Sequence, residues 1–217
     1  MKFKKKIKIA IDSPAGAGAG TQAKLLSKYY NLFYLDTGKI YRILAFSKIN
    51  SPKKFGHSHI KRIVKNLKII DLQKKSLLSN VVGLEASIIA KNLKIRKIVH
   101  NFQINCAYFP PKKYNGSCLD GRDITYNIVP DAEFKFFITA NVKTRAKRRY
   151  LELKKLNSKI LYKDVLKSIK KRDKNDFTRK ISPLKKTKDS ILINTTKLTK
   201  RACFLKIRNI IDKKLKN

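Results

Sequence analysis

At 217 residues and 42% hydrophobic, the chain can bury one sizeable core and does not call for several domains. Fifty-three Lys and Arg against fourteen Asp and Glu give a formal charge of +39, pointing to anionic partners: nucleotides, nucleic acid or a membrane surface. The lysines are spread over the whole length, as a compositional bias would spread them, and such a charge predicts non-specific RNA contact at low salt. No apolar run of about 18 residues occurs, which argues against a membrane span. Cys106, Cys118 and Cys203 are odd in number and widely spaced, which argues against a disulfide framework or zinc site and for a reducing compartment. The pair His57 and His59 has no neighbouring ligands in sequence, and no metal site is expected there. The basic start Met-Lys-Phe-Lys-Lys-Lys resembles a signal n-region, but Gly16, Gly18 and Gly20 stand where an apolar segment should follow, so a cytoplasmic protein is expected.

Ile7, Ile9 and Ile11 alternate as in a buried strand. They run into Asp12-Ser13-Pro14-Ala15-Gly16-Ala17-Gly18-Ala19-Gly20-Thr21, after which Gln22 to Lys28 reads as an amphipathic helix. A strand, a glycine-rich turn and a helix N-terminus make a phosphate cradle: glycine lets backbone N–H groups close around an anion, and the helix dipole favours it. The pattern G-x-x-x-x-G-K-[ST] would place glycine at 13, lysine at 19 and a hydroxyl at 20, whereas the chain has Ser13, Ala19 and Gly20. The motif's positive charge is missing.

Asn31 to Thr37 supplies a second buried strand ending at Asp36, and Gly38 punctuates before a helix from Ile40. Polar residues at such a strand end lie on the carboxyl edge of a parallel sheet, so Asp36, Thr37, Tyr41 and Arg42 are expected near the glycine loop. Residues 51 to about 80 read as a small, mostly helical insertion. Leu84 to Phe109 has helical periodicity, with Ile95, Ile98, Val99, Phe102 and Cys106 as the core stripe and Pro110-Pro111 as its stop. Ser117 to Asp123, Phe134 to Ala140 and Ile191 to Thr196 supply further strands, and a helix from about Lys200 to Lys214 closes the chain. Between the last two strands lie two helical stretches bearing Arg145, Arg148, Arg149, Arg172, Asp176 and Arg179. A charge run is usually a solvated face; opposite a phosphate cradle it becomes a candidate lid. The alternation predicts an α/β fold with a parallel sheet and right-handed crossovers.

Several stretches in this order resemble the bacterial cytidylate kinases: Ile9 to Gly16, Leu35-Asp-Thr-Gly-Lys-Ile-Tyr-Arg42, Glu85-Ala-Ser87, Ile95-Arg96, Asp120-Gly-Arg-Asp123, Val129-Pro-Asp-Ala132, Arg145-Ala-Lys-Arg148-Arg149, Arg172 to Arg179 and Pro183-Leu. The resemblance implies a nucleoside monophosphate kinase-like P-loop fold with a five-stranded parallel sheet flanked by helices, one kinase domain over 1–217, with a monophosphate-binding insertion at about 51–93 and an arginine-rich lid at about 145–180. It implies phosphorylation of CMP and dCMP by ATP in pyrimidine nucleotide metabolism, by a monomer, with Mg²⁺ held mainly by phosphates and water. ATP phosphates would lie on Ser13 to Thr21. Ser87, Arg96 and Asp123 would read the cytosine, and Arg172 and Asp176 the ribose. Thr37, Arg42, Arg122 and Arg179 would clamp the CMP phosphate, beside Asp36 and Tyr41, and Arg145 and Arg148 would close over ATP.

This chain departs from the family pattern at Ala19 and also at Lys39, where the family carries a small residue. A lysine stem reaches roughly 6 Å, so Lys39 is the expected source of the missing charge, acting in catalysis with Arg122, Arg145, Arg148 and Arg179. After Asp123 the family continues Met-Gly-Thr, where this chain has Ile124-Thr-Tyr-Asn127. The alternative left open by the altered loop is a catalytically impaired relative that binds nucleotide or RNA.

Overall fold

The computed structural model describes residues 6–155 and 159–216. The basic start at 1–5 and three positions of the arginine-bearing region, 156–158, lie outside the described residues. Five parallel strands, β1 (Ile7–Asp12), β2 (Phe33–Asp36), β3 (Gly116–Gly121), β4 (Phe134–Thr139) and β5 (Ile191–Asn194), form one sheet in the order β2-β3-β1-β4-β5. The helices are α1 (Ala19–Tyr30), α2 (Thr37–Asn50), α3 (His57–Lys65), α4 (Asn80–Ile89), α5 (Leu93–Tyr108), α6 (Val142–Lys154), α7 (Tyr162–Thr178) and α8 (Lys200–Lys216). No helix among the described residues is long and apolar enough to cross a membrane.

Strand alternation sends the two sets of apolar residues to opposite faces. Ile7, Ile9 and Ile11 of β1 pack with Cys118, Phe136 and Ile138 against Ala23 and Leu26 of α1 and Ile207 and Ile211 of α8. Ala10, Leu35 and Leu119 pack on the other face against Ile40 and Leu44 of α2 and Val99 of α5. The hairpin of α6 and α7 has a small cluster of its own: Ala146, Leu153, Val165 and Ile169. β1 is therefore buried on both sides, and the loop that follows it leaves the sheet at its centre.

Two local expectations are corrected, and the mostly helical reading of 51–80 is met in detail. Gly38 does not separate strand from helix: α2 begins at Thr37, because the Asp36 side chain caps it by accepting from the Lys39 backbone N–H at 3.3 Å. The periodic stretch from Leu84 is two helices, broken where Asn92 caps α5 by accepting from the Ile95 N–H at 3.1 Å. Within 51–80 only α3 is α-helical at length; Pro52–Lys54, Ile69–Gln73 and Lys75–Leu78 are short 3₁₀ turns.

Candidate functional site

The glycine loop curls over the carboxyl end of β1. Gly16 and Gly18 have φ of +75° and +93°, the left-handed region that glycine alone enters without strain. A Cβ on Gly16 would also stand 2.9 Å from the Arg145 carbonyl oxygen. Gly18 occupies the N-cap of α1 without any side-chain cap, so the first-turn N–H groups of α1 are available to an anion. Two loop carbonyls are tied away from that anion site. The Ala15 oxygen accepts from Arg145 Nη1 at 3.0 Å, and the Ala17 oxygen from Thr195 Oγ1 at 2.9 Å. Both oxygens are thus held by donors of the surrounding fold.

A cleft of ≈ 1100 Å³ opens in front of this loop; it is lined by Ser13 to Thr21 and, across from them, by Lys24, Asp36, Lys39, Arg42, Asp120, Arg122, Arg148, Arg149 and Arg172. Arg42 is pressed downward from the ordinary arginine range by burial first and then by Arg172 and Arg149; Arg172 is pressed the same way by burial and Arg122. Buried guanidiniums that crowd one another keep their charge and are relieved by an anion. Arg42 Nη1 donates to the Leu77 and Ser79 carbonyls at 2.5 and 3.2 Å, which holds one side of its guanidinium against the segment before α4.

Asp36 and Asp120 stand opposite each other in register on β2 and β3. Burial and then the Asp36 carboxylate push Asp120 well above the usual carboxylate range, although Tyr34 donates to it at 2.9 Å. Two crowded carboxylates at the rim of a phosphate cleft suit the bound waters of a Mg²⁺ ion. Burial draws the Lys39 ammonium below the ordinary lysine range; Asp36 and Asp120 oppose that, while Lys24 and Arg42 add to it.

Behind the cleft lies a buried polar set. An Arg96 Nη2–Asp123 Oδ2 ion pair, with both side chains almost fully enclosed, joins α5 to the loop after β3. Asn127 Nδ2 donates to the same carboxylate at 2.7 Å. The Arg96 guanidinium lies 5.7 Å from the centre of the Tyr41 ring, and the Tyr41 hydroxyl is buried with no hydrogen-bond partner among the described residues. Ser87 Oγ donates to the Leu84 carbonyl at 2.8 Å and lies 3.4 Å from Asn175 Nδ2 of α7. Asp176 accepts from Arg122 Nε at 2.7 Å and stands 3.7 Å from Arg172 Nε. Burial alone would push the Asp176 carboxyl up; Arg122 and Arg172 outweigh it and hold it below the usual range. Arg179, just beyond α7, donates through Nε to the Ser182 carbonyl at 2.6 Å.

The sequence model of the family described as cytidylate kinase matches residues 9–213. The chain belongs to the cytidylate kinase family. It is 37% identical over 231 residues to a protein named cytidylate kinase from Mesomycoplasma hyopneumoniae (strain 7448), covering 97% of this chain and 96% of that one. It is 40% identical over 205 residues to another of that name from Bartonella tribocorum, covering 94% of each. A solved structure of an uncharacterized protein from Eubacterium ventriosum shares the fold, with a TM-score of 0.55 at 21% identity over 95% of this chain and 98% of that one.

Within this cytidylate kinase fold, Ser13 to Thr21, Asp36, Lys39, Arg42, Arg122, Arg148 and Arg172 come together on the cleft. Thr37 lies just behind it, donating to the Asp120 carbonyl at 2.8 Å. Ser87, Tyr41, Arg96, Asp123, Asp176 and Arg179 cluster outside the open lining, because α7 packs on α4 and the groups pair with each other. Arg145 departs from the expected mobile cation. Its Nε donates to the Ala140 carbonyl at 2.8 Å, Nη1 and Nη2 hold Asp173 at 3.0 and 2.6 Å, and Nη1 also reaches Ala15, so none of its ends is free to close over a nucleotide. Arg148 lines the cleft with its guanidinium on Thr195, donating to Oγ1 at 2.9 Å and to the carbonyl at 2.7 Å.

The departure after Asp123 has a structural use in this member of the cytidylate kinase family. Asp12 accepts from the Ile124 and Thr125 N–H groups at 2.8 and 3.0 Å and from the Thr125 hydroxyl at 2.6 Å, which pins the turn Ile124–Ile128 to the end of β1. Sequence reasoning gave no role to Asp120, Lys24 or Thr195. Asp120 and Thr195 end or follow strands on the same carboxyl edge as Asp36, and Lys24 is one helical turn beyond Thr21, so the rules applied to their neighbours would have found them.

Proposed function

We propose that this protein transfers the γ-phosphoryl group of ATP directly to CMP and dCMP, giving ADP and CDP or dCDP. The observation that carries the reading is the buried Arg96–Asp123 pair against Tyr41, whose hydroxyl has no partner among the described residues, with Asp123 next in the chain to Arg122 of the cationic cleft. Cytosine offers an amino donor and ring acceptors, which suit a carboxylate, a guanidinium and hydroxyls. A base without those groups would leave unpaired the Tyr41 hydroxyl and any group drawn out of the Arg96–Asp123 pair to meet it, at a cost of about 1–3 kcal/mol for each. The loop N–H groups and the α1 N-terminus receive the donor phosphates, while Thr37, Arg42, Arg122 and Arg179 receive the acceptor phosphate, whose own anionic oxygen is the nucleophile, and Arg172 and Asp176 hold the ribose. The protein's task is alignment and charge neutralisation. Mg²⁺ would be carried by the ATP phosphates and water, with Asp36 and Asp120 accepting from that water; when bound it neutralises charge on the transferred group.

Ala19 leaves one cation absent from the loop, and Lys39, half-buried on the same cleft, supplies it in this reading. The whole chain acts as one kinase domain, with 51–93 as the monophosphate-binding insertion and 145–180 as the lid region, working on dissolved nucleotides in the cytoplasm as a monomer. ADP formation measured with CMP, dCMP, UMP and AMP tests this: turnover is expected with the first two. Tight CMP binding without turnover would instead establish the impaired nucleotide-binding relative.

A further inference from the structure

Arg145 is the residue whose structural position differs most from its sequence reading. Its guanidinium is buried and bonded to three separate parts of the fold at once: the end of β4 through Ala140, the phosphate loop through Ala15, and α7 through the paired contact with Asp173. The Asp173 contact is the two-point geometry that fixes orientation as well as distance. On α7, Arg172 immediately precedes Asp173 and lines the cleft, and Asp176, three residues after it, holds Arg122 and accompanies Arg172. A shift of α7 is therefore felt at Asp173, and through Arg145 at the Ala15 carbonyl.

That carbonyl matters more here than in a loop with its own lysine. Without a side-chain cation, the affinity of residues 13–21 for phosphate rests on backbone donors, and those donors point inward only while the neighbouring carbonyls point away. The Ala15 oxygen is held away by Arg145. Gly16, the next residue, sits so close to the Arg145 carbonyl that it has no room for a Cβ, so the loop packs directly on helix α6.

We infer that the Arg145–Asp173 pair is a positioning device that couples the two nucleotide sites, transmitting the seating of α7 by the acceptor nucleotide to the phosphate-binding loop. This rests on the kinase reading above, in which α7 contacts the acceptor and the loop holds ATP. Two sites joined by a shared element bias each other reciprocally, typically by about 5- to 150-fold in affinity.

Calorimetric titration of a non-hydrolysable ATP analogue into the wild-type protein, with and without saturating CMP, measures the coupling. Analogue binding at least about fivefold tighter with CMP present is expected. In Asp173→Asn the ratio should fall to within about twofold of unity, while CMP binding measured alone changes little, because Asn loses one arm of the pair and its charge. Arg145→Lys keeps a positive charge but has one point of contact instead of a fork, and should lose coupling in the same way, which provides the reading if the Asn variant does not fold. A ratio unchanged in both variants, or a wild-type ratio of one, would overturn the inference. Failure of CMP to bind the wild-type protein at all would instead overturn the kinase reading on which it rests.

Discussion

Replacing Lys39 by alanine tests the most specific chemical consequence of the altered loop. The cleft offers three lysines, Lys24, Lys39 and Lys200, of which Lys24 and Lys200 are exposed. Lys39 is half-buried, with its ammonium drawn down by burial, whereas Lys24 is exposed on α1 with its Nζ 6.0 Å from the Tyr34 ring centre. A unit charge about 4 Å from a phosphate oxygen contributes about 4 kcal/mol at an effective dielectric of about 20, and about 1 kcal/mol in a water-like environment. The first figure agrees with the roughly 3–4 kcal/mol lost on removing one preorganised contact to developing charge. Lys39→Ala should therefore lower kcat by about 100- to 1000-fold at saturating CMP and ATP, and Lys24→Ala by no more than about fivefold. Ala19→Lys in the Lys39→Ala background should recover part of the loss.

A coupled assay of ADP formation gives kcat and KM for each variant. The pH profile supplies a second check. The ammonium is needed in its charged form, so the rate should fall as pH rises through the pKa of Lys39, on an alkaline limb below the ordinary lysine range, and Lys39→Arg should move that limb upward. If Lys39→Ala raises only the KM for CMP and leaves kcat within about threefold of wild type, Lys39 is a binding residue and the reasoning is refuted; a larger loss from Lys24→Ala would transfer the role to α1.

Asp12→Ala leaves two buried N–H groups without their acceptor and should cost about 3 kcal/mol, lowering the melting temperature by about 6–12 °C for a chain of this size; a fall under about 2 °C would show that the turn after Asp123 is held by packing. Burial pushes the Asp12 carboxyl up to about 6. The folded state thus binds this proton more tightly than the unfolded chain, and stability from this group rises as pH falls from 7 towards 4. The difference in unfolding free energy between wild type and Asp12→Asn should widen in that direction in urea titrations. Asp123→Asn should lower kcat/KM for CMP by about 100-fold with little change for UMP, and equal losses on both would deny it a role in base selection. RNA retained on a filter at 50 mM salt should be lost by 200 mM, with affinity falling about 1000-fold or more; retention at the higher salt would mean that the +39 charge includes a specific nucleic-acid site.

The order of strands and helices along the chain, the buried alternation of Ile7, Ile9 and Ile11, the phosphate loop and its missing lysine could all be read from the sequence. Each is written in local periodicity or in glycine spacing, which act over a few residues. Asp36, Lys39 and Arg42 could be placed near the loop for a related reason: a parallel sheet gathers its strand ends on one edge whatever the details of packing. The partners of side chains across long separations were not legible. Arg145 reads as one more cation in a basic helix, and only the approach of β4, the loop and α7 makes it a buried three-way tie. Leu84 to Phe109 keeps one apolar period through the break at Asn92, so the turn that lets α4 meet α7 and α5 cover the sheet was invisible to periodicity. Whether Ser87, Arg96 and Asp123 face an open cleft or each other likewise depends on how two helices far apart in sequence pack. Sequence settles what each segment can bury; tertiary structure decides which polar groups are left to pair behind it.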